Sequence, residues 1–368
     1  MKVNEILSYV KSFDIADDRK CMIVDALNSK GPNFFIYAVG KNSEVLAANK
    51  RIGIDAIIDG QADISGGGQW NGIPLIHPSS AMKTSLVINC STSIRPIDTL
   101  HWLQKEGFNK IVNYFELSYA LNDDALIPDF VKKQLLEVEN NSKVWQEIYD
   151  RLADNVSKKT FVDVLKFRLS ADPKFMAEYS VRIDQQYMED FMNYRNEVFI
   201  DAGGFDGDTT EAFAKYYPDY KKIIVFEPSG KNIEKLKRRT SNLRNIEVHE
   251  MGLSDKKETL SFDQNSGSAS AISNAGSDCI SVDRLDSLIH EPVSFIKMDL
   301  EGWEIPALKG CVKHIKEDIP KLAIAIYHNP EDIRRVFQMI NDICDEYSLY
   351  LRHYTQGWSE TILFFVKK

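Results

Sequence analysis

Apolar residues along the chain follow two spacings, one typical of amphipathic helices and one typical of buried strands. Residues 3–13 carry apolar side chains at helical spacing, which predicts an amphipathic first helix. Short apolar segments follow, with polar helical stretches between them, and this alternation predicts a parallel α/β domain over residues 1–122. The segments predicted as its strands are residues 34–39, 56–59, 73–76, 85–90 and 110–113.

A helical stretch separates this domain from a second alternation of strands and helices. Over residues 123–195 charged and apolar positions interleave, which predicts a helical connector. Over residues 196–368 strands alternate with helices again, and the last two strand segments predict an antiparallel hairpin. The chain is therefore predicted to be α/β, with two Rossmann-like domains joined by a helical segment. The strand segments of the second domain are residues 198–201, 223–226, 245–251, 294–299, 322–328, 348–353 and 361–366.

The most informative segment is residues 198–210, where an apolar strand ends in an acid and a glycine-rich turn follows. Asp201 ends the strand, Gly203 and Gly204 lie in the turn, and residues 208–210 can cap a new helix. Glycines let the backbone pass close to a ligand because they have no Cβ. The segment predicts the first ligand-binding turn of a doubly wound domain.

The acid at the end of this strand indicates the charge of the ligand. A dinucleotide-binding turn places glycines and N–H groups against a negative pyrophosphate. Here Asp201 favours a ligand with a positive charge instead. S-adenosylmethionine, which carries a sulfonium and an ammonium group, fits that description.

Further acids and a histidine end the later strands of the second domain, and the carboxyl ends of such strands converge on one crevice. Glu227 is placed to accept hydrogen bonds from both ribose hydroxyls of a nucleoside. Its alternative role, capping the next helix near Ser229, is disfavoured because Pro228 intervenes. Asp299 is the corresponding acid of a later strand.

His328 ends an apolar strand, and a histidine with a near-neutral pKa can take a proton from a substrate hydroxyl. The alternative is a histidine that is hydrogen-bonded in the turn. Asp299, Glu301 and His328 also offer oxygen and imidazole ligands that suit magnesium or manganese. No ligand spacing specifies such a site, so no metal is predicted.

Two other segments leave alternatives open. Gln186 and Tyr187, just before the glycine turn, either close over a bound cofactor or join the domains. In the first domain, Gly40 and Asp59 either bind a nucleotide or belong to a scaffold that has lost its ligand. The scaffold is favoured, because residues 41–43 stand where further glycines are expected.

Composition limits the classes of partner and compartment. The chain has a net charge of -9, 43% hydrophobic and 27% charged residues, which fits a soluble protein and argues against binding to a nucleic-acid backbone. Its 5 cysteines are dispersed, as expected of reduced thiols in the cytoplasm. No signal peptide or membrane-spanning segment is predicted. Homo-oligomerisation is left open.

An ordered series of motifs in the second domain resembles the FkbM-type family of S-adenosylmethionine-dependent methyltransferases. The resemblance covers residues 199–368, roughly half of the chain. The motifs are FIDAGG (199–204), DGDT (206–209), FEP (226–228), LSD (253–255), SVDRLDSL (281–288), IKMDLEG (296–302) and LKG (308–310).

This resemblance implies a class I methyltransferase fold, with a seven-stranded sheet whose last strand is antiparallel. It also implies O-methylation of a sugar, glycan or related metabolite, with Asp299 at the methyl-transfer centre. The expected catalytic residues are His328, as acceptor of the hydroxyl proton, and Asp299, which assists it. Substrate contacts are expected from Tyr327, Trp303, Gln186 and Tyr187. The expected cofactor-binding residues are Asp201, Ala202, Gly203, Gly204, Phe205, Asp208, Thr209, Glu227, Pro228, Gly252, Leu253, Ser254 and Asp299.

Two other functions are compatible with the sequence. One is a nicotinamide-dependent oxidoreductase with two Rossmann-like domains, although neither glycine turn has the Gly-x-Gly-x-x-Gly spacing. The other is a non-catalytic protein that retains the methyltransferase fold. The series of acids at strand ends favours the methyltransferase.

Overall fold

The structure, a computed structural model, describes residues 2–28, 34–37, 41–49, 52–62, 68–262 and 278–368. The chain forms two compact units, neither of which is one continuous segment. The first comprises Met1–Ser142, Phe161–Val181 and Thr355–Ser359. The second comprises Lys143–Thr160, Arg182–Tyr354 and Glu360–Lys368. The predicted division at residues 122 and 195 stays a prediction.

The first unit contains a mostly parallel sheet of six strands. Its strands are β1 (Phe34–Tyr37), β2 (Ile54–Ile58), β3 (Gln69–Trp70), β4 (Ile73–Ile76), β5 (Leu86–Asn89) and β6 (Lys110–Asn113). Their order is β3-β4-β2-β1-β5-β6, and β3 pairs antiparallel with β4 while the other pairs are parallel. Its helices are α1 (Val3–Lys11), α2 (Asp17–Asn28), α3 (Lys41–Ala48), α4 (Pro96–Lys105) and α5 (Tyr114–Leu121).

Apolar side chains cover both faces of this sheet. On one face Ile57 and Ile88 pack in a cluster with Ile23 of α2 and Leu117 of α5. On the other face a second cluster contains Ile58, Val87 and, from α4, Leu103. Burial on both faces explains why these strands read as continuous apolar runs in the sequence.

Two long helices follow, α6 (Asp129–Arg151) and α7 (Asn155–Ser170), as the interleaved charges predict. Each of these helices contributes residues to both units. Within α6, Asn141 has a non-helical φ of -126°, next to the division between Ser142 and Lys143. Among the described residues, none of the helices has the length and apolar character that spanning a membrane requires.

The second unit contains a seven-stranded sheet of order β15-β16-β14-β13-β7-β8-β9 and a small sheet of order β10-β12-β11. The large sheet is formed by β7 (Val198–Ala202), β8 (Lys222–Phe226), β9 (Ile246–His249), β13 (Phe295–Met298), β14 (Lys321–Ala325), β15 (Tyr347–His353) and β16 (Thr361–Lys367). The small sheet is formed by β10 (Gly252–Leu253), β11 (Glu258–Phe262) and β12 (Asp278–Asp283). The helices are α8 (Asp208–Tyr216), α9 (Gly230–Arg239), α10 (Leu285–Leu288), α11 (Glu304–Lys309), α12 (Val312–Glu317) and α13 (Asp332–Ile343).

This arrangement confirms the seven-stranded sheet and its antiparallel last strand. The last strand, β16, pairs antiparallel with both β14 and β15, so the terminal hairpin is confirmed as well. In the core, the rings of Phe199 on β7 and Phe295 on β13 stack with centroids 4.5 Å apart. The parallel pairing of β7 with β13 runs from there to Ala202 and Met298, which places the carboxyl ends of both strands next to each other, where the site lies.

Some sequence predictions fall outside the described residues. These are the turn at Gly40 and the carboxyl end of the strand predicted over residues 34–39, of which β1 covers residues 34–37.

Candidate active site

The glycine turn after β7 is tightly enclosed by its neighbours in the second unit. Gly203 has a φ of +81°, and a Cβ built on it would lie 2.0 Å from the backbone oxygen of Asp299. A Cβ on Gly204 would lie 2.1 Å from Cγ1 of Val225. The N–H groups of both glycines donate to the carbonyl of Phe226, at 2.9 and 3.1 Å. Glycine is therefore required here by the close approach of β8 and β13.

Asp201 is fully buried, and both of its carboxylate oxygens have partners. Oδ2 accepts a hydrogen bond from the Thr210 hydroxyl at 2.7 Å, and Oδ1 lies 3.0 Å from Nζ of Lys297. Burial alone would lower the pKa of Lys297, but the charges of Asp201 and Asp299 raise it above its ordinary value. The expected free carboxylate facing a ligand is therefore wrong, because an internal lysine neutralises it.

Lys297 links the carboxylate of Asp201 to the backbone of the glycine turn. Its ammonium group donates to the carbonyl oxygen of Gly203 at 2.7 Å. Sequence reasoning missed this residue, although a lysine in the middle of the apolar strand IKM is a signal, since a buried lysine needs a paired carboxylate.

Glu227 follows β8 and is buried. Its Oε2 accepts from the Phe205 N–H at 2.9 Å, and its Oε1 accepts from the Ser229 N–H at 2.9 Å and from Asn232 at 3.2 Å. The side chain reaches past Pro228 to the N-cap residue Ser229 and to the side chain of Asn232, but it accepts from no backbone N–H of α9 among the hydrogen bonds of the described residues. Burial raises the pKa of Glu227, and these hydrogen bonds oppose the shift. Oε2 keeps one lone pair for a ligand hydroxyl.

Asp299 follows β13, and its carboxylate accepts hydrogen bonds from the hydroxyl groups of two tyrosines. The Tyr187 hydroxyl donates to Oδ2 at 3.0 Å, and the Tyr327 hydroxyl lies 3.4 Å from both carboxylate oxygens. Burial, followed by the charge of Asp299, raises the pKa of both phenols, so they stay protonated as donors. The structure thus brings three predicted site residues together.

His328 lies among three carboxylates. Its Nε2 is 3.5 Å from Oδ1 of Asp299 and 3.5 Å from Oε2 of Glu301, and its Nδ1 is 3.1 Å from Oε1 of Glu304. Burial alone would lower the pKa of His328, but the three carboxylates outweigh it and raise the pKa to about 10. The expected near-neutral pKa is therefore wrong, and at neutral pH the ring is an imidazolium that cannot accept a proton.

Two glutamates of the site titrate near neutrality instead. Burial raises the pKa of Glu301 to about 7, with His328 opposing the shift and Asp299 adding to it. Burial and the charge of Asp299 also raise the pKa of Glu360 to about 7. The Glu301 side chain is 29% exposed, so a substrate can reach it. Glu360 was missed because it precedes the last strand and no motif marks it.

Gln186 and Tyr187 reach this site from the segment before β7. Gln186 donates to Oε2 of Glu360 at 3.0 Å and to the Tyr187 hydroxyl at 3.1 Å. Tyr187 has a φ of +74°, a strained value for a bulky residue, and Tyr194 holds its carbonyl with a hydrogen bond of 2.7 Å. All four residues belong to the second unit.

The remaining predicted residues surround the turn and its neighbouring strands. Trp303 donates through its indole N–H to the Ser254 hydroxyl at 3.4 Å, beside Gly252 and Leu253 of β10. Ala202 ends β7, and Asp208 and Thr209 are the first residues of α8. The prediction that residues 208–210 cap this helix is wrong, because its N-cap residue is Gly207, which has no side chain to do so. Phe205 and Pro228 contribute backbone to the two turns.

One group of side chains has the spacing of a cation site. Ligand atoms of Asp299, Glu304 and His328 lie within 4.8 Å of one another. Oε1 of Glu304 also accepts from the N–H of Leu300 at 2.7 Å, so this residue holds the turn that precedes α11. The ion pairs within the group account for its geometry without a metal.

Comparison with known proteins identifies the domain that carries this site. Residues 201–352 match the family model of the methyltransferase FkbM domain. The chain contains an FkbM domain. Most of the predicted site residues lie inside it, whereas the predicted Gln186 and Tyr187 lie outside the matched range, as does Glu360, which was not predicted. The match supports a methyltransferase activity.

Solved structures resemble the chain as well. A methyltransferase FkbM from Methylobacillus flagellatus KT superposes with a TM-score of 0.76 at 21% sequence identity, over 99% of this chain and 98% of that one. This shows a shared fold that extends beyond the FkbM domain. An rRNA methylase from Streptococcus thermophilus gives a TM-score of only 0.33 at 20% identity, over 49% of this chain and 92% of that one. No curated protein matches the chain.

Proposed function

We propose that the chain is an S-adenosylmethionine-dependent methyltransferase that methylates a hydroxyl group of a sugar, glycan or related small metabolite. One observation carries the proposal: acids that follow β8 and β13 flank the glycine turn after β7, within an FkbM domain. This edge of the sheet is where doubly wound domains bind their ligands.

The residues present fit a cofactor that is cationic at one end and a nucleoside at the other. Asp299 and Glu301 are partly exposed carboxylates, which favour a neighbouring positive charge. Glu227 offers the free lone pair of its Oε2 to a ribose hydroxyl. We assign the contacts with the adenine to Gly252, Leu253 and Ser254.

When bound, S-adenosylmethionine supplies an electrophilic methyl group, whose bond to sulfur breaks as the bond to the acceptor oxygen forms. The chain contributes alignment of the acceptor and exclusion of water. Tyr187, Tyr327 and Gln186 are rigidly hydrogen-bonded around Asp299 and Glu360, so they can orient the hydroxyl.

Glu301 is the residue that we assign as proton acceptor. A general base works best when its pKa lies near the working pH, and the pKa of Glu301 is about 7. The hydroxyl proton passes to its carboxylate. His328, held as an imidazolium between Asp299 and Glu301, acts as a positioning residue for both carboxylates.

Ligand binding and turnover test this function separately. Thermal unfolding of the full chain with S-adenosylmethionine, S-adenosylhomocysteine or NAD should show stabilisation by the first two only. Methyl transfer from labelled cofactor to nucleotide sugars and lipid-linked glycans should then give one labelled product. Stabilisation by NAD alone would contradict the proposal and favour an oxidoreductase.

A further inference from the structure

The sheet of the first unit has the strand order of a doubly wound nucleotide-binding sheet. Counted along the chain, its five parallel strands β4, β2, β1, β5 and β6 stand in the order 3-2-1-4-5. Apolar clusters cover both faces. In such sheets ligands bind beyond the carboxyl ends of the strands, and an acid after the second strand accepts hydrogen bonds from a ribose.

A cavity of about 260 Å³ lies at the carboxyl ends of β1 and β2. Its lining includes one carboxylate, two aromatic rings and an amide, from Asp59, Tyr37, Trp70 and Gln69, together with three aliphatic side chains. This combination of apolar walls with few polar groups is typical of a small-molecule site.

Asp59 has a carboxylate oxygen available for a ligand. It follows β2 directly, and its Oδ1 accepts from the Gln61 N–H at 2.9 Å. Within the described ranges, no hydrogen bond to its Oδ2 is found. Burial and the charge of Asp59 raise the pKa of Tyr37, which keeps a phenol donor beside the carboxylate.

The aromatic wall is suited to the flat face of a base. Trp70 lies on β3, which the antiparallel pairing with Ile73 of β4 holds at the side of the cavity. An indole ring is a surface on which any nucleobase can stack. The carboxylate and the ring thus supply the two contacts that a nucleoside needs.

We propose that this cavity binds a nucleoside, with the ribose diol on Asp59 and the base against Trp70. The second unit repeats the arrangement, since Glu227 follows the second strand of its sheet as Asp59 follows β2. The inference does not depend on the methyltransferase proposal, because all the residues that carry it belong to the first unit.

Calorimetric titration of the full chain with adenosine and with uridine tests the proposal. The Glu227→Gln variant serves as background, because it weakens the ribose contact of the second unit. At least one of the two nucleosides should bind, and its 2′,3′-dideoxy form should bind at least tenfold more weakly. Both nucleoside forms are titrated into the same protein, so the comparison between them does not depend on differences in folding between variants.

Variants of the first unit then locate the site. Asp59→Asn and Trp70→Ala should each weaken binding at least tenfold, whereas Asp55→Asn, which removes an exposed carboxylate from the same strand, should leave it unchanged. Three results would overturn the proposal: no binding of either nucleoside, equal binding of the dideoxy form, or binding that survives Asp59→Asn.

Discussion

The ammonium group of Lys297 lies 3.0 Å from the carboxylate of Asp201, and both side chains are almost completely buried. Removing one partner leaves the other charge without compensation. We expect Lys297→Met to lower the free energy of unfolding by about 3–5 kcal/mol, as measured by urea denaturation. Lys237→Met, which breaks an exposed pair with Glu250, should cost less than about 1 kcal/mol. Equal losses for the two variants would contradict the buried pairing.

Gly203→Ala tests the close approach of the turn to β13. The new Cβ meets the Asp299 carbonyl oxygen at 2.0 Å, and the φ of +81° disfavours any side chain. We expect a loss of about 1–3 kcal/mol in thermal unfolding. Gly230→Ala is the matched control, because a Cβ there meets nothing within 4 Å. It should be neutral or stabilise the chain by up to about 1 kcal/mol.

Glu227→Gln tests the assignment of the ribose contact. The amide cannot satisfy the N–H groups of Phe205 and Ser229 as the carboxylate does, and it offers a weaker acceptor to a hydroxyl. We expect affinity for S-adenosylhomocysteine to fall at least about tenfold, equivalent to about 1.4 kcal/mol, in calorimetric titration. Glu250→Gln, at an exposed position, should bind as the parent chain does. Unchanged affinity of the Glu227 variant would remove this residue from the site.

The pH profile of methyl transfer tests the proton acceptor. Because the pKa of Glu301 is about 7, kcat should rise between pH 6 and 8 as the carboxyl group loses its proton. Glu301→Gln should lower kcat by about 10²–10⁴-fold, with little change in KM, and should abolish this rise. If the rise persisted in the variant, another group would be the base.

His328→Gln tests whether the His328 ring is positively charged in the folded protein. The folded pKa of about 10 lies above the ordinary 6.5, so the folded state binds an extra proton between these values. The resulting stabilisation is complete below about pH 6.5 and is lost as the pH rises through 10. The difference in unfolding free energy between the parent chain and the variant should therefore shrink from pH 7 to pH 10. A difference that is independent of pH would contradict the ion pairs.

The positions of the strands along the chain were accessible from the sequence because buried parallel strands are continuous apolar runs, as in residues 223–226. The positions of Asp299 and His328 were accessible for the same reason, since each follows such a run. The protonation states of these side chains could not be predicted from the sequence, because they depend on charged neighbours that other segments of the chain supply. His328 acquires its high pKa from carboxylates that lie elsewhere in the chain. The charge of Asp201 is compensated by Lys297 of β13, which comes six strands after β7 in sequence but lies next to it in the sheet.

The antiparallel strand β16 is the last strand to join the seven-stranded sheet of the second unit. It lies between β14 and β15, yet it follows both in the chain, and the matched FkbM range ends at residue 352, inside β15. A fragment cut at that boundary would lack β16, the strand that pairs with both β14 and β15. During synthesis, the edge of β14 stays open until residues 361–367 have left the ribosome, so the second unit acquires its cooperative fold only at that late point.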